Sequence, residues 1–129
     1  MSNQVMPGTT LRIIRIALLS GVLLFGAVVA YLTQSGGLTP DPESAATLRL
    51  VFLPLALGTF AGILAVRTAQ ARAEKQRQGT FSIIGWALGE GVALFGGVAW
   101  MVAGEMLLYL TGLGLMILAL LLVPIPADT

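Results

Sequence analysis

Long apolar segments alternate with short polar ones along the chain, and this pattern predicts four membrane-spanning helices. The predicted spans are 11–33, 46–67, 81–103 and 106–123. As a helix, the third of these rises about 34 Å, which is enough to cross a hydrocarbon core of about 30 Å. The fold class that follows is an all-α, polytopic membrane protein, a single domain over 11–129 with four transmembrane helices in two antiparallel hairpins.

Helix ends are predicted from the residues that interrupt the apolar runs. Residues 1–10 form a polar N-terminal tail, and a cleaved signal peptide is the alternative interpretation of the first span. Asp41 as N-cap and Pro42 at the first helical position start the second helix, which is expected to reach about Arg77, with Gly79 ending it. Gly104 and Glu105 allow only a tight turn between the last two helices.

Composition supports the membrane interpretation and excludes several kinds of chemistry. The chain of 129 residues is 57% hydrophobic and 10% charged, whereas a soluble domain carries about 25% charged residues. It has no cysteine and no histidine, which removes thiol nucleophiles, histidine bases and most transition-metal ligands. We therefore expect no enzymatic activity, cofactor or metal, and no basic surface suggests nucleic acid.

The distribution of charge predicts the orientation. One side of the predicted bundle holds Arg12, Arg15, Arg67, Arg72, Lys75 and Arg77. The other holds Arg49 together with Asp41, Glu43 and Glu105. The positive-inside rule then places both termini in the cytoplasm of a bacterial-type inner membrane.

The first and third spans match each other at a fixed offset, which indicates an internal repeat. Identical pairs occur throughout, from Ile13 and Ile83 to Val28 and Val98. Internal repeats are common in transporters, although two packing helices can also converge on the same small-residue pattern. The match places Ser20 opposite Glu90.

Glu90 is the candidate ion-binding residue because it is the single charged residue of the third span. A carboxylate at the bilayer centre costs about 2.5 kcal/mol or more, so we expect Glu90 to be neutral and hydrogen-bonded, or functional. Hydroxyls at comparable depth are those of Ser20, Thr59 and Thr111, and each is a candidate partner. The alternatives are a reversible proton or cation site and a neutral carboxyl that joins helices.

Small residues predict where helices pack closely. The candidate packing glycines are Gly58, Gly62, Gly85, Gly89, Gly96 and Gly97. At the outer interface Arg49 and Glu105 are expected to pair, and Trp100 and Tyr109 to join an aromatic belt.

Residues 55–103 resemble the proteolipid (c) subunit of rotary ATP synthases. Arg77-Gln78 is similar to that family's polar loop, and the segment from Ala87 to Val98 resembles its carboxylate-bearing helix. The resemblance implies that Glu90 carries an ion in a membrane ring.

Three functions are consistent with the sequence. The first is a helical subunit or accessory protein of a larger membrane complex, with Glu90 as a polar packing point. The second is a proteolipid-like subunit that binds a proton or cation at Glu90, and the third is a small oligomeric transporter. The bilayer is the expected environment, and self-association or a larger complex is expected in each case.

Overall fold

Four helices make up the fold. The computed structural model describes residues 8–37 and 41–125, and the helices are α1 (Gly8–Gln34), α2 (Glu43–Arg72), α3 (Lys75–Ala103) and α4 (Met106–Leu122). The predicted tail falls largely outside the described residues, and its last three residues already belong to α1. The helix α2 begins at Glu43 with Pro42 as its N-cap, one residue later than predicted. Asp41 still stabilises this start, since its carboxylate accepts the backbone N–H of Glu43 at 3.1 Å and the Ser44 hydroxyl at 2.8 Å.

The junction of α2 and α3 differs from the prediction. The chain leaves the helix at Ala73 and Glu74, both extended, and Gly79 lies buried inside α3 instead of ending α2. Two glutamines form reciprocal hydrogen bonds across this turn. The Gln70 side chain donates to the Gln78 backbone carbonyl at 2.8 Å, and the Gln78 side chain donates to the Gln70 backbone carbonyl at 3.3 Å. These tertiary hydrogen bonds, and not a glycine, fix where α2 ends.

The central helix of the bundle is α3, which packs against all three others. It runs antiparallel to α4, since Gly96 meets Leu108 and Gly85 meets Val123. Phe52 of α2 stacks on Phe95 with ring centroids 6.1 Å apart. The predicted hairpin of α1 with α2 is wrong as a packing unit, because no Cα atom of one lies within 8 Å of a Cα atom of the other. Instead α1 packs alongside α3, where Phe25 lies against Gly97.

These directions gather the basic residues at one end of the bundle. The basic end, as we call it, holds Arg12, Arg15, Arg67, Arg72, Lys75 and Arg77, together with Glu74. At the opposite end Arg49 donates to the Glu105 carboxylate, joining the start of α2 to the α3–α4 turn. That hydrogen bond holds the pKa of the Glu105 carboxyl below its ordinary value of 4.5.

Large apolar side chains point outward on every helix. Leu50 of α2 is 74% exposed and Leu121 of α4 is 73% exposed, whereas the buried face of α3 is rich in glycine and alanine. Three helices, α1, α2 and α3, are long and apolar enough to cross a membrane. With 17 residues, α4 is shorter and rises only about 25 Å. This distribution fits a multi-pass membrane protein.

Candidate functional site

Glu90 lies in the middle of α3, on the side that packs against α1. It shares this side with Trp86, Ala93 and Gly97, which lie four residues before it and three and seven residues after it. Trp86 belongs to the same core cluster as Leu11 of α1, and Gly97 lies against Phe25. The Glu90 side chain itself is half-buried. It therefore lies at the edge of the α1–α3 contact and not inside it.

Glu90 has no hydrogen-bond or ion-pair partner among the described residues, in which the one ion pair is that of Arg49 with Glu105. None of the three predicted hydroxyls bonds to it. Ser20 is exposed, about 200° around α1 from both Leu18 and Val22, which pack inward. It therefore points away from α3.

Thr59 and Thr111 are also separated from Glu90. Thr59 is 7% exposed and shares a face of α2 with Phe52 and Ile63, the face that meets α3 near Leu88 and Phe95. Glu90 is two residues from Leu88, about 200° around α3, so it lies on the opposite side of that helix. Thr111 is exposed, and its hydroxyl donates to the Leu107 carbonyl at 2.8 Å. The predicted cluster of Glu90 with these hydroxyls is not formed.

One face of α3 is left uncovered beside Glu90. Ala87, Gly91 and Val98 are exposed, and they lie roughly opposite the side that α4 covers. This uncovered face, Ala87–Gly91–Val98, is flanked by α1 on one side and α2 on the other, which do not close over it. The Glu90 carboxyl, which has no partner among the described residues, thus borders a surface on which the small residues Ala87 and Gly91 let another helix approach closely.

The predicted packing glycines divide into two groups. Gly85, Gly89 and Gly96 lie at the contact of α3 with α4, and Gly97 admits Phe25. A Cβ at Gly89 would lie 2.8 Å from the Met116 Cα, so the two backbones are in direct contact there. Gly62 lies against Leu88, since a Cβ placed at Gly62 would be 3.2 Å from the Leu88 Cδ1. Gly58 is exposed, and among the described residues no other helix has an atom within 4 Å of a Cβ placed there, so the predicted close contact at Gly58 is absent from this bundle.

Tyr109 was expected at an aromatic belt, but it is buried. Its hydroxyl donates to the Val22 carbonyl at 2.9 Å, and its ring lies 5.4 Å from that of Trp100. Gly26 of α1 makes room for the tyrosine, because a Cβ there would overlap its side chain. Tyr109 therefore joins α4 to α1 through a backbone carbonyl.

Sequence reasoning missed a buried polar cluster at the basic end. Backbone carbonyls at and just beyond the C-terminal end of α4, which have no helical partners, accept hydrogen bonds from neighbouring side chains. Trp86 Nε1 donates to the Val123 carbonyl at 2.8 Å, and Ser82 Oγ donates to the Pro124 carbonyl at 2.9 Å. Gln70 Nε2 donates to Ser82 Oγ at 2.7 Å. The spacing of Gln78, Ser82 and Trp86, four residues apart on one side of α3, is the signal that could have revealed it.

The comparisons with known proteins do not assign this site. No family model matches the sequence, and no curated protein and no solved structure is significantly similar to it.

Proposed function

We propose that the chain is a small multi-pass membrane protein that serves as a helical subunit or accessory protein of a larger membrane complex. A helix of a partner, or of a second copy, docks on the uncovered face of α3 beside Glu90. The single observation that carries this proposal is a carboxyl group in the middle of an apolar helix that has no partner in the described part of the chain and lies next to the exposed Ala87 and Gly91.

The proposed membrane location is supported by the outward-facing leucines, isoleucines and valines. In water they would expose extensive apolar surface on every helix. We place all four helices in the bilayer of a bacterial-type cytoplasmic membrane, with the shorter α4 held against α3 by glycine contacts. The basic end faces the cytoplasm by the positive-inside rule, so both termini are cytoplasmic.

The proposed docking role is supported by the energetic cost of Glu90 in the hydrocarbon region. A carboxyl in the hydrocarbon region is costly unless it is neutral and hydrogen-bonded or paired with a cation. The described residues of the chain supply neither. A partner helix that brings a hydroxyl, amide or cation to this position would satisfy the carboxyl, and Ala87 and Gly91 would let its backbone come close.

A second candidate is a proteolipid-like ion carrier, favoured by the same half-buried carboxyl at the edge of the uncovered face. In that case Glu90 exchanges a proton or cation where subunits meet. The two candidate functions predict different effects of replacing Glu90 with glutamine. An amide can hydrogen-bond to a partner helix, but it cannot take up and release a proton.

Replacing Glu90 is expected to weaken association with the partner. Because an interhelical hydrogen bond in a membrane contributes about 1–2 kcal/mol, Glu90→Leu should reduce co-purification in mild detergent about tenfold, and Glu90→Gln should retain most of it. Quantitative mass spectrometry of affinity-purified wild-type and variant chains measures this.

Ser20→Ala is the matched control, because Ser20 is an exposed polar residue that points away from α3. Its association should equal that of the wild type. A Glu90→Leu variant that keeps all its partners would contradict docking at this face. A Glu90→Gln variant that assembles normally but loses ion-dependent activity of the complex would favour the carrier.

A further inference from the structure

A groove between α1 and α4 opens near the basic end of the bundle. It is lined by Arg15, Ile16 and Leu19 of α1 and by Ile117, Leu120 and Leu121 of α4, and it encloses about 420 Å³. Sites that hold a small molecule commonly measure roughly 300–1,000 Å³. The groove lies apart from the uncovered face of α3 and shares no lining residue with it.

The groove exists because α1 and α4 meet on either side of it. Towards the opposite end of the bundle, Tyr109 of α4 bonds to the Val22 carbonyl and fills the space at Gly26. Towards the basic end, Leu11 packs in the same buried cluster as Leu120 and Val123. Between these two contacts the apolar side chains of both helices leave the groove, which opens to the surface.

Arg15 gives this groove its positive charge. It is the single charged residue of the lining, it is half-buried, and among the described residues it has no carboxylate partner. A guanidinium group binds phosphate oxygens through two parallel hydrogen bonds. The other five lining residues are isoleucine and leucine, which offer no polar group to a ligand.

We propose that this groove binds an anionic phospholipid. The phosphate of the headgroup binds the Arg15 guanidinium at the level of the cytoplasmic interface, and an acyl chain lies along Leu19, Ile117 and Leu121. Basic pockets between membrane helices on the cytoplasmic side are typical sites for anionic headgroups. The site depends on the proposed membrane location, but it does not depend on a partner at Glu90.

The proposal is tested by native mass spectrometry of the purified chain in mild detergent with added dioleoyl phosphatidylglycerol or dioleoyl phosphatidylcholine. The wild type should retain the anionic lipid in preference to the zwitterionic one. Because one basic residue near the membrane surface contributes about 1 kcal/mol to the binding of anionic lipid, Arg15→Gln should lower retention of phosphatidylglycerol about fivefold.

Two further variants separate the groove from general charge. Arg12 lies one turn before Arg15, is exposed and does not line the groove. The Arg12→Gln variant loses the same charge as Arg15→Gln, but it should retain lipid like the wild type. Ile117→Trp keeps Arg15 but fills the groove, and it should lower retention of phosphatidylglycerol. Circular dichroism checks that each variant remains helical.

Equal retention of the two lipids by the wild type would overturn the proposal. So would an Arg12→Gln variant that loses as much phosphatidylglycerol as Arg15→Gln. Normal lipid retention with loss of partner association in Glu90→Leu would leave this site intact and keep the two proposals distinguishable.

Discussion

Gly112→Ala is expected to destabilise the bundle by about 1–3 kcal/mol, the usual cost of overpacking a close-packed contact. A Cβ at Gly112 would lie 2.7 Å from the Val92 carbonyl oxygen and 2.8 Å from the Ala93 Cα. Both atoms belong to the backbone of α3, so no side-chain rotation can relieve the overlap. The two helices must therefore move apart, which loosens the close packing of α3 against α4.

Gly114→Ala is the matched control, two residues further along the same helix. In the described structure no other helix has an atom within 4 Å of a Cβ placed at Gly114, so the same change in helix propensity occurs there without the clash. Unfolding of the purified protein in detergent, followed by circular dichroism against temperature, should give a lower midpoint for Gly112→Ala only. Equal midpoints for the two variants would show that α3 and α4 are not in backbone contact.

Trp86→Ala is expected to destabilise the bundle by about 3–5 kcal/mol, the usual range for removing a buried aromatic side chain. Trp86 is fully buried and packs with residues of the other three helices, among them Leu11, Ile63 and Ala119. Trp86→Phe keeps most of the packing but leaves the Val123 carbonyl without its donor, for which we expect a loss of about 1–3 kcal/mol.

Trp100→Phe is the matched control, because it makes the same change from tryptophan to phenylalanine without removing a hydrogen bond of the described structure. Trp100 is half-buried beside Tyr109, and among the described residues its indole N–H has no hydrogen-bond partner. The same thermal unfolding measurement should therefore rank the variants Trp86→Ala, Trp86→Phe and Trp100→Phe from least to most stable. A Trp86→Phe variant as stable as Trp100→Phe would mean that the indole hydrogen bond does not cap α4.

The helices themselves could be read from the sequence because their signals are local. Apolar runs longer than a soluble helix needs, the Asp41-Pro42 start and the Gly104 turn place most helix ends within a few residues. The end of α2 could not be read in this way. It depends on Gln70 and Gln78, whose hydrogen bonds join residues of two different helices.

The arrangement of the helices was harder to predict for a related reason. Helices that are apolar all round give no hydrophobic stripe to distinguish a protein contact from a lipid-facing side. Small residues gave the better signal: they predicted close packing at Gly85, Gly89 and Gly96, and the structure shows that the neighbour there is α4. They also misled at Gly58, which lies on an exposed side of α2.

The depth of Glu90 followed from counting residues, but its surroundings did not. Ser20 and Thr59 lie at suitable depths, yet one points outward from α1 and the other lies across α3. Depth along a helix is fixed by the sequence, whereas direction around it depends on which neighbours pack where. The absence of a partner for Glu90 within the described bundle is therefore a result that only the structure provides.

The proposed docking of a partner helix on the uncovered face of α3 beside Glu90 is tested most directly by site-specific photo-cross-linking. A photoreactive phenylalanine derivative is introduced at Ala87 and, as the matched control, at Leu57. Ala87 lies on the uncovered face, and Leu57 is 63% exposed on the side of α2 away from α3.

Irradiation of intact membranes should convert the 13.4 kDa chain to a heavier adduct from position 87 and not from position 57. A second substitution, Glu90→Leu, should reduce that adduct. No adduct from position 87, or equal adducts from both positions, would contradict the proposed docking at Glu90.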